Sequence, residues 1–215
     1  RMISEGEIIT SQSPLPFKII YTIYNTGDLL VNLNLEVPED CPPLPRVGIK
    51  TQMSPPFEDV YWYGRGPHES YWDRKQGAAL GRYGGKVSEQ FTPYIKPQEY
   101  GNKSDVRWAT MSKLGGLGLM IAGNNLNFSI HEYSLKNIEE AAHIFDLQKT
   151  NTQYLYVDYQ QMGLGGDDSW NPRTHPEFLL DGQAYGPVFR LRGVDMARED
   201  PEDYFQYKLP INPID

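Results

Sequence analysis

The sequence predicts an all-β fold, an antiparallel sandwich, and three observations carry that reading. Apolar and polar residues alternate over short runs, the period-two signature of a strand with one buried face. Fifteen Tyr, eight Phe and four Trp accompany 20 Gly and 17 Pro, a composition that favours strands and the turns between them. Long heptads and long apolar stripes at a 3.6-residue period are absent.

The first element covers residues 17–25, where Phe17, Ile19, Tyr21 and Ile23 share one face. Asn25-Thr26-Gly27-Asp28 supplies a turn, and residues 29–37 follow with Leu29, Val31, Leu33, Leu35 and Val37 on one side. Together they predict a hairpin with one buried face. Prolines break the pattern over 38–45. Further strands are expected at 46–52, 59–63, 117–122, 127–133, 153–160, 178–180 and 188–192, and a helical turn or two at 137–145. Segment 193–215 carries Asp195, Arg198, Glu199, Asp200, Glu202 and Asp203 with two late prolines, and is expected to lie extended over the surface.

At 215 residues the chain has room for one large core, and no repeat or Gly/Ser-rich linker divides it. A single domain over 1–215 is expected. No signal peptide is visible, and with a start at Arg1-Met2 that absence says nothing about targeting. A formal charge of −8 argues against a nucleic-acid surface, which needs clustered Lys and Arg. No apolar run approaches the roughly 20 residues that span a bilayer, so no membrane partner is expected. One cysteine, Cys41, excludes an internal disulfide and a cysteine-based zinc site.

Two stretches are dense in chemistry. In Met162-Gly163-Leu164-Gly165-Gly166-Asp167-Asp168-Ser169-Trp170, three glycines in four positions allow positive φ or close approach to another surface. Asp167, Asp168 and Ser169 are suited to hydrogen-bond local backbone and hold a turn. Trp170 then either packs over its own core or projects as a flat apolar face for a sugar ring or a protein pocket. The other stretch, residues 61–74, runs from aromatics through Gly64-Arg65-Gly66-Pro67 into a charged segment. It lacks the third glycine of a dinucleotide loop. His68 and Glu69 are neighbours, which on a strand sends them to opposite faces. Arg65, Asp73 and Arg74 are expected to form ion pairs around a turn.

No complete catalytic set is visible. His68, His131, His143 and His175 show no metal-ligand spacing, and there is no Gly-x-Ser-x-Gly elbow. Glycoside hydrolysis needs two carboxylates about 5–9 Å apart across the scissile bond. Asp167 and Asp168 are adjacent, and read as loop braces.

Taken together, the two stretches resemble a known family. Residues 64–74 are similar to the G-x-G-P-x-E-x-Y-x-D-R signature of the C-terminal, small-chain-like domain of the large bacterial β-galactosidases of glycoside hydrolase family 2. Phe91-Thr92-Pro93-Tyr94, followed by Pro97, Glu99 and Gly101, resembles that family's Y-T-P-Y segment. Met162 to Trp170 is similar to its M-G-x-G-G-D-D-S-W. Residues 29–192 are compatible with the family.

The resemblance implies an antiparallel β supersandwich, the fold also used by sugar mutarotases, here N-terminally truncated. It implies that the catalytic glutamates, with the Mg2+ and Na+ ligands, lie on a separate (β/α)8 barrel, so that no catalytic, metal or cofactor residue is expected in this chain. The implied partners are a β-galactoside, the barrel and other domains of the same polypeptide, and a further copy of the parent as a homo-oligomer. One residue of this module, Trp170, would reach the sugar, with Gly165, Gly166, Asp167, Asp168 and Ser169 supporting it. A mutarotase-like or carbohydrate-binding module and a purely structural docking domain are the alternatives. Cytoplasm and periplasm are both open.

Overall fold

The computed structural model describes residues 1–53 and 57–209, and it is antiparallel β throughout. In chain order the strands are β1 (Met2–Ile8), β2 (Leu15–Ile23), β3 (Asp28–Glu36), β4 (Arg46–Met53), β5 (Asp59–Gly66), β6 (Ala79–Lys86), β7 (Lys103–Ser112), β8 (Leu117–His131), β9 (Gln153–Gln161), β10 (Ala184–Tyr185) and β11 (Val188–Asp195). Two short helices, α1 (Leu135–Glu140) and α2 (Pro201–Gln206), complete the set. None of the described helices is long and apolar enough to cross a membrane.

The hydrogen-bonded order is β1-β2-β3-β11-β8-β7-β5-β6, with β9 joined to β8, β4 to β9 and β10 to β3. The branch point is β8, whose 15 residues serve two neighbourhoods. Its first half pairs with β11 through Arg190↔Ala122 and its second half with β9 through Phe128↔Val157. The pairing of β7 with β8 shifts register on both sides of Val106, and Asp105 and Asn125 there both hold φ near +53°. Such bulges bend a strand and let a large sheet close over itself. The result is the antiparallel supersandwich that the resemblance implies.

One core unites the far ends of this order. Val31, Leu33 and Leu35 of β3 meet Val60 and Trp62 of β5, Phe128 and Ile130 of β8 and Leu155 and Val157 of β9. The alternation in β3 therefore faces the core as expected, in register with β2 through Phe17↔Leu35 and Tyr21↔Val31. Trp108 seeds a second cluster with Met120 and Val194, and Tyr100 a third with Tyr133 and Ile138.

Several expected elements take another form. The strands expected at 117–122 and 127–133 are one continuous strand, β8. Residues 178–180 are not a strand: a 3-10 turn spans Pro176–Phe178, and Leu180 makes a single bridge to Leu44. The expected extended tail instead continues β11 to Asp195 and forms α2, with Pro201 at its first turn and Asp200 accepting from the Glu202 amide at 2.9 Å. Met196, Tyr204 and Phe205 pack on the Trp108 cluster, so apolar burial anchors a segment that reads as charged. Residues 210–215 lie outside the described residues.

Candidate functional site

The site begins at β5, whose end holds the Gly64-x-Gly66 turn. Gly64 is required by close approach: a Cβ there would lie 2.6 Å from Val106 Cγ2. Trp62, 1% exposed, donates its indole N–H to the Arg65 carbonyl at 2.9 Å, which fixes the turn on the core. Arg65 and Arg74 both pair, Arg74 within the turn with Glu69 five residues back, and Arg65 with Asp105 40 residues on. Arg65 Nε donates to Asp105 at 2.5 Å, and Arg74 Nη2 donates to Glu69 at 2.7 Å. Asp73 joins no ion pair among the described residues. Its Oδ2 instead accepts the Leu164 and Gly165 amides at 2.8 and 3.1 Å.

Glu69 ties the first motif to the second. Its carboxylate accepts from Thr92 Oγ1 and the Gly101 amide, each at 2.8 Å, from the Tyr94 hydroxyl, and from Arg74. Burial opposes its ionisation, yet these donors and the Arg74 charge prevail and hold its pKa below the ordinary carboxylate value. Glu69 is thus occupied on every side, and His68 does not share its contacts.

The third motif leaves β9 and is fixed residue by residue. Met162 N donates to the Pro45 carbonyl at 3.0 Å, Gly163 N to the Phe178 carbonyl at 2.9 Å, and Thr174 Oγ1 to the Gly163 carbonyl at 2.9 Å. Asp168 Oδ1 accepts the Trp170 and Asn171 amides at 2.8 and 2.7 Å, an Asx turn that holds the carboxyl ionised below its usual range. Asp167 faces the other way and pairs with His175 Nε2 at 2.8 Å. Asp167 and Asp168 therefore diverge. Ser169 makes no side-chain hydrogen bond among the described residues. Gly165 and Gly166 do not hold positive φ. The need at Gly166 is steric, because a Cβ would overlap the Asn171 carbonyl oxygen, whereas at Gly165 nothing lies within 4 Å. Trp170 stands at the tip, 88% exposed.

Between the motifs lies a cavity of about 550 Å³ walled by Asp73, Arg74, Tyr94, Glu99, Asp167 and His175. Burial pushes Glu99 up to about 7, even with Arg46 Nη1 at 3.4 Å. Arg46 also pairs with Asp158 at 2.5 Å, and that second carboxylate raises Glu99 further. The hydrogen bond and charge of Asp167 raise the His175 imidazole above its ordinary value. The cavity wall thus holds one carboxyl group, Glu99, able to exchange a proton near neutral pH, beside an imidazole whose protonated form is favoured by Asp167. His131 is buried and kept neutral, its pKa depressed to about 3 by burial and by Arg46. Among the described residues, no three His, Cys, Asp or Glu side chains are placed to hold a metal ion. Sequence reasoning misses Asp73 as a loop contact, and the His175–Asp167 pair, because spacings of 91 and 8 residues carry no local signal.

Comparison with known proteins agrees with the motifs. The family described as beta galactosidase small chain matches residues 3–191. A β-galactosidase of Priestia megaterium is 42% identical over 176 residues, covering 81% of this chain and 17% of its own length. The β-galactosidase of Vibrio cholerae is 42% identical over 168 residues, 77% of this chain and 16% of that protein. That of Lactobacillus delbrueckii subsp. bulgaricus is 40% identical over 166 residues, with 77% and 16% covered. The chain thus spans about a sixth of the length of these relatives. Among solved structures, a putative aldose 1-epimerase from Escherichia coli K12 matches with a TM-score of 0.38 and 9% identity, over 89% of this chain and 64% of its own. With residues of its three motifs lining one cavity and the match running through nearly every strand, the chain belongs to the beta galactosidase small chain family.

Proposed function

We propose that this chain is the C-terminal module of a retaining β-galactosidase acting on terminal, lactose-like β-D-galactosides, and that Trp170 is its contribution to the sugar site. The observation that carries this reading is the position of Trp170. A large apolar ring is left 88% exposed on a loop whose backbone is hydrogen-bonded on both flanks. An exposed indole on a fixed support offers a stacking face at little cost in ordering.

In the parent, two glutamates on a separate barrel carry the chemistry. One attacks the anomeric carbon while the other protonates the leaving oxygen, and water then releases galactose with retained configuration. Mg2+ and Na+ belong to those other domains. Among the described residues no three His, Cys, Asp or Glu side chains are placed to hold a metal ion, and Glu69, Asp105 and Asp158 are each paired with a cation. Trp170 transfers no proton. It supports the sugar or its leaving group and excludes water, while Asp167, Asp168 and Gly166 shape the loop that Gly165 and Ser169 complete. The partners are the barrel and a second copy of the parent in a homo-oligomer. The isolated chain is inactive.

Steady-state kinetics of the full-length protein on aryl glycosides, wild type beside Trp170→Ala, tests this. Selective β-galactoside hydrolysis with a raised KM supports it. Activity untouched by the substitution reduces the module to a docking scaffold.

A second reading, a mutarotase-like module, draws on the His175–Asp167 pair at the cavity wall. Polarimetry on freshly dissolved galactose would support that reading if His175→Ala abolished a measured acceleration.

A further inference from the structure

Asp73, about 90 residues earlier in the chain, reaches the Trp170 loop with its carboxylate. It sits in a tight turn closed by reciprocal bonds, Tyr71 N to the Arg74 carbonyl at 3.1 Å and Arg74 N to the Tyr71 carbonyl at 2.8 Å. Tyr71, 1% exposed, seats that turn on the interior. Neighbouring Trp72 packs edge-on against Phe178, with ring centroids 5.6 Å apart, and the Phe178 carbonyl in turn receives Gly163 N. From this base one oxygen of Asp73 takes two consecutive amides, those of Leu164 and Gly165. Gly163 makes room for it, since a Cβ there would stand 2.8 Å from Asp73 Oδ2. The adjacent Arg74 is engaged with Glu69, so Asp73 has no cation to compete for it among the described residues.

We propose that Asp73 is a positioning residue for Trp170: by accepting the Leu164 and Gly165 amides it sets where the glycine-rich loop, and hence the indole at its tip, stands. The inference rests on the reading of Trp170 as a sugar platform. A carboxylate that binds two backbone amides is a strong and directional anchor. A platform displaced by about 1 Å loses much of its contact with a bound ring.

The test uses the full-length protein with Asp73→Leu, Asp73→Asn, Trp170→Ala and the Asp73→Leu/Trp170→Ala pair. Hydrogen exchange reads the clamp directly: the Leu164 and Gly165 amides are expected to lose protection in Asp73→Leu and keep most of it in Asp73→Asn, which retains one acceptor oxygen. Kinetics read its consequence. Asp73→Leu is expected to raise KM for a β-galactoside about tenfold, as two lost hydrogen bonds allow, with kcat changed far less. The double variant is expected to be no worse than Trp170→Ala alone, because Asp73 acts through the indole. Unchanged amide protection, or a KM effect that adds to that of Trp170→Ala, overturns the proposal. If Trp170→Ala leaves KM unchanged, the platform reading fails, while the exchange data still decide whether Asp73 clamps the loop. Should Asp73→Leu not fold, Asp73→Ser, polar and too short to reach either amide, carries the same comparison.

Discussion

Gly166 lies so close beneath Asn171 that a Cβ on it would overlap the Asn171 carbonyl oxygen and crowd the Arg173 amide at 2.9 Å. The loop before Trp170 closes on itself here, and Asp168 holds the other side of the closure through the Asn171 amide. Two glycines that look equivalent in the sequence are therefore unequal. Gly165→Ala is expected to leave KM for β-galactosides and thermal stability unchanged, because its Cβ meets open space. Gly166→Ala is expected to raise KM severalfold by displacing the Trp170 end of the loop. Parallel kinetics and melting curves of the two variants check this.

Trp170→Ala is expected to leave the melting temperature unaltered, since the residue is 88% exposed among the described residues. Stacking on a sugar would be worth about 1–3 kcal/mol, by analogy with other aromatic platforms. Most of that would appear as a raised KM rather than a lowered kcat. Trp170→Phe should recover part of the loss. Kinetics on small aryl galactosides measure the division.

Glu99 predicts a pH dependence of stability. Its folded pKa of about 7 lies above the ordinary value of 4.5, so the native state holds this proton more tightly than the unfolded chain. Its contribution is complete below pH 4.5 and is lost as pH rises through 7. Glu99→Gln removes the ionisation. Relative to wild type, the variant is expected to gain about 1–3 kcal/mol between pH 5 and pH 8. Urea midpoints at the two pH values give the difference directly.

Asp28 has the opposite sign. It is fully buried at the start of β3, receiving Arg190 Nε at 2.7 Å and Arg192 Nη1 at 2.9 Å, with Thr26 Oγ1 at 2.5 Å. Burial raises its pKa, but these donors outweigh burial and hold it below 3.8. Asp28→Asn leaves Arg190 without its countercharge and is expected to cost about 3–5 kcal/mol at pH 7. The stability from ionised Asp28 is present above pH 3.8 and disappears as pH falls through the folded pKa. The gap between variant and wild type should therefore narrow in acid, as denaturant melts at pH 7 and pH 3 will show.

Strands with one wet face were legible because their chemistry is local. In β3 the alternation of Val31, Leu33 and Leu35 with polar neighbours is itself the burial pattern. β7 is illegible in the sequence for the converse reason. It is central and buried on both faces, so Lys103, Ser104, Thr110 and Ser112 are interior beside Val106 and Met111, and no alternation marks them. β6 carries Gly81, Gly84 and Gly85, which argue against a strand until the Tyr61 ring is seen lying against Gly84. β1 is exposed along nearly its whole length and exists through its ladder with β2.

By itself the sequence determined the all-β class, the hairpin of β2 and β3, and the three motifs that place the chain in its family. Each of these depends on residue type and near-neighbour spacing. Only the tertiary structure decided that Asp73 reaches the Trp170 loop, that Asp167 and Asp168 part toward different partners, and that Gly166 is tight while Gly165 is free. Those relationships join positions up to 92 residues apart, and side-chain direction there follows from how the sheet closes. Local propensity carries no record of that closure, because the contacts that set it form only when the two ends of the sheet meet over one core.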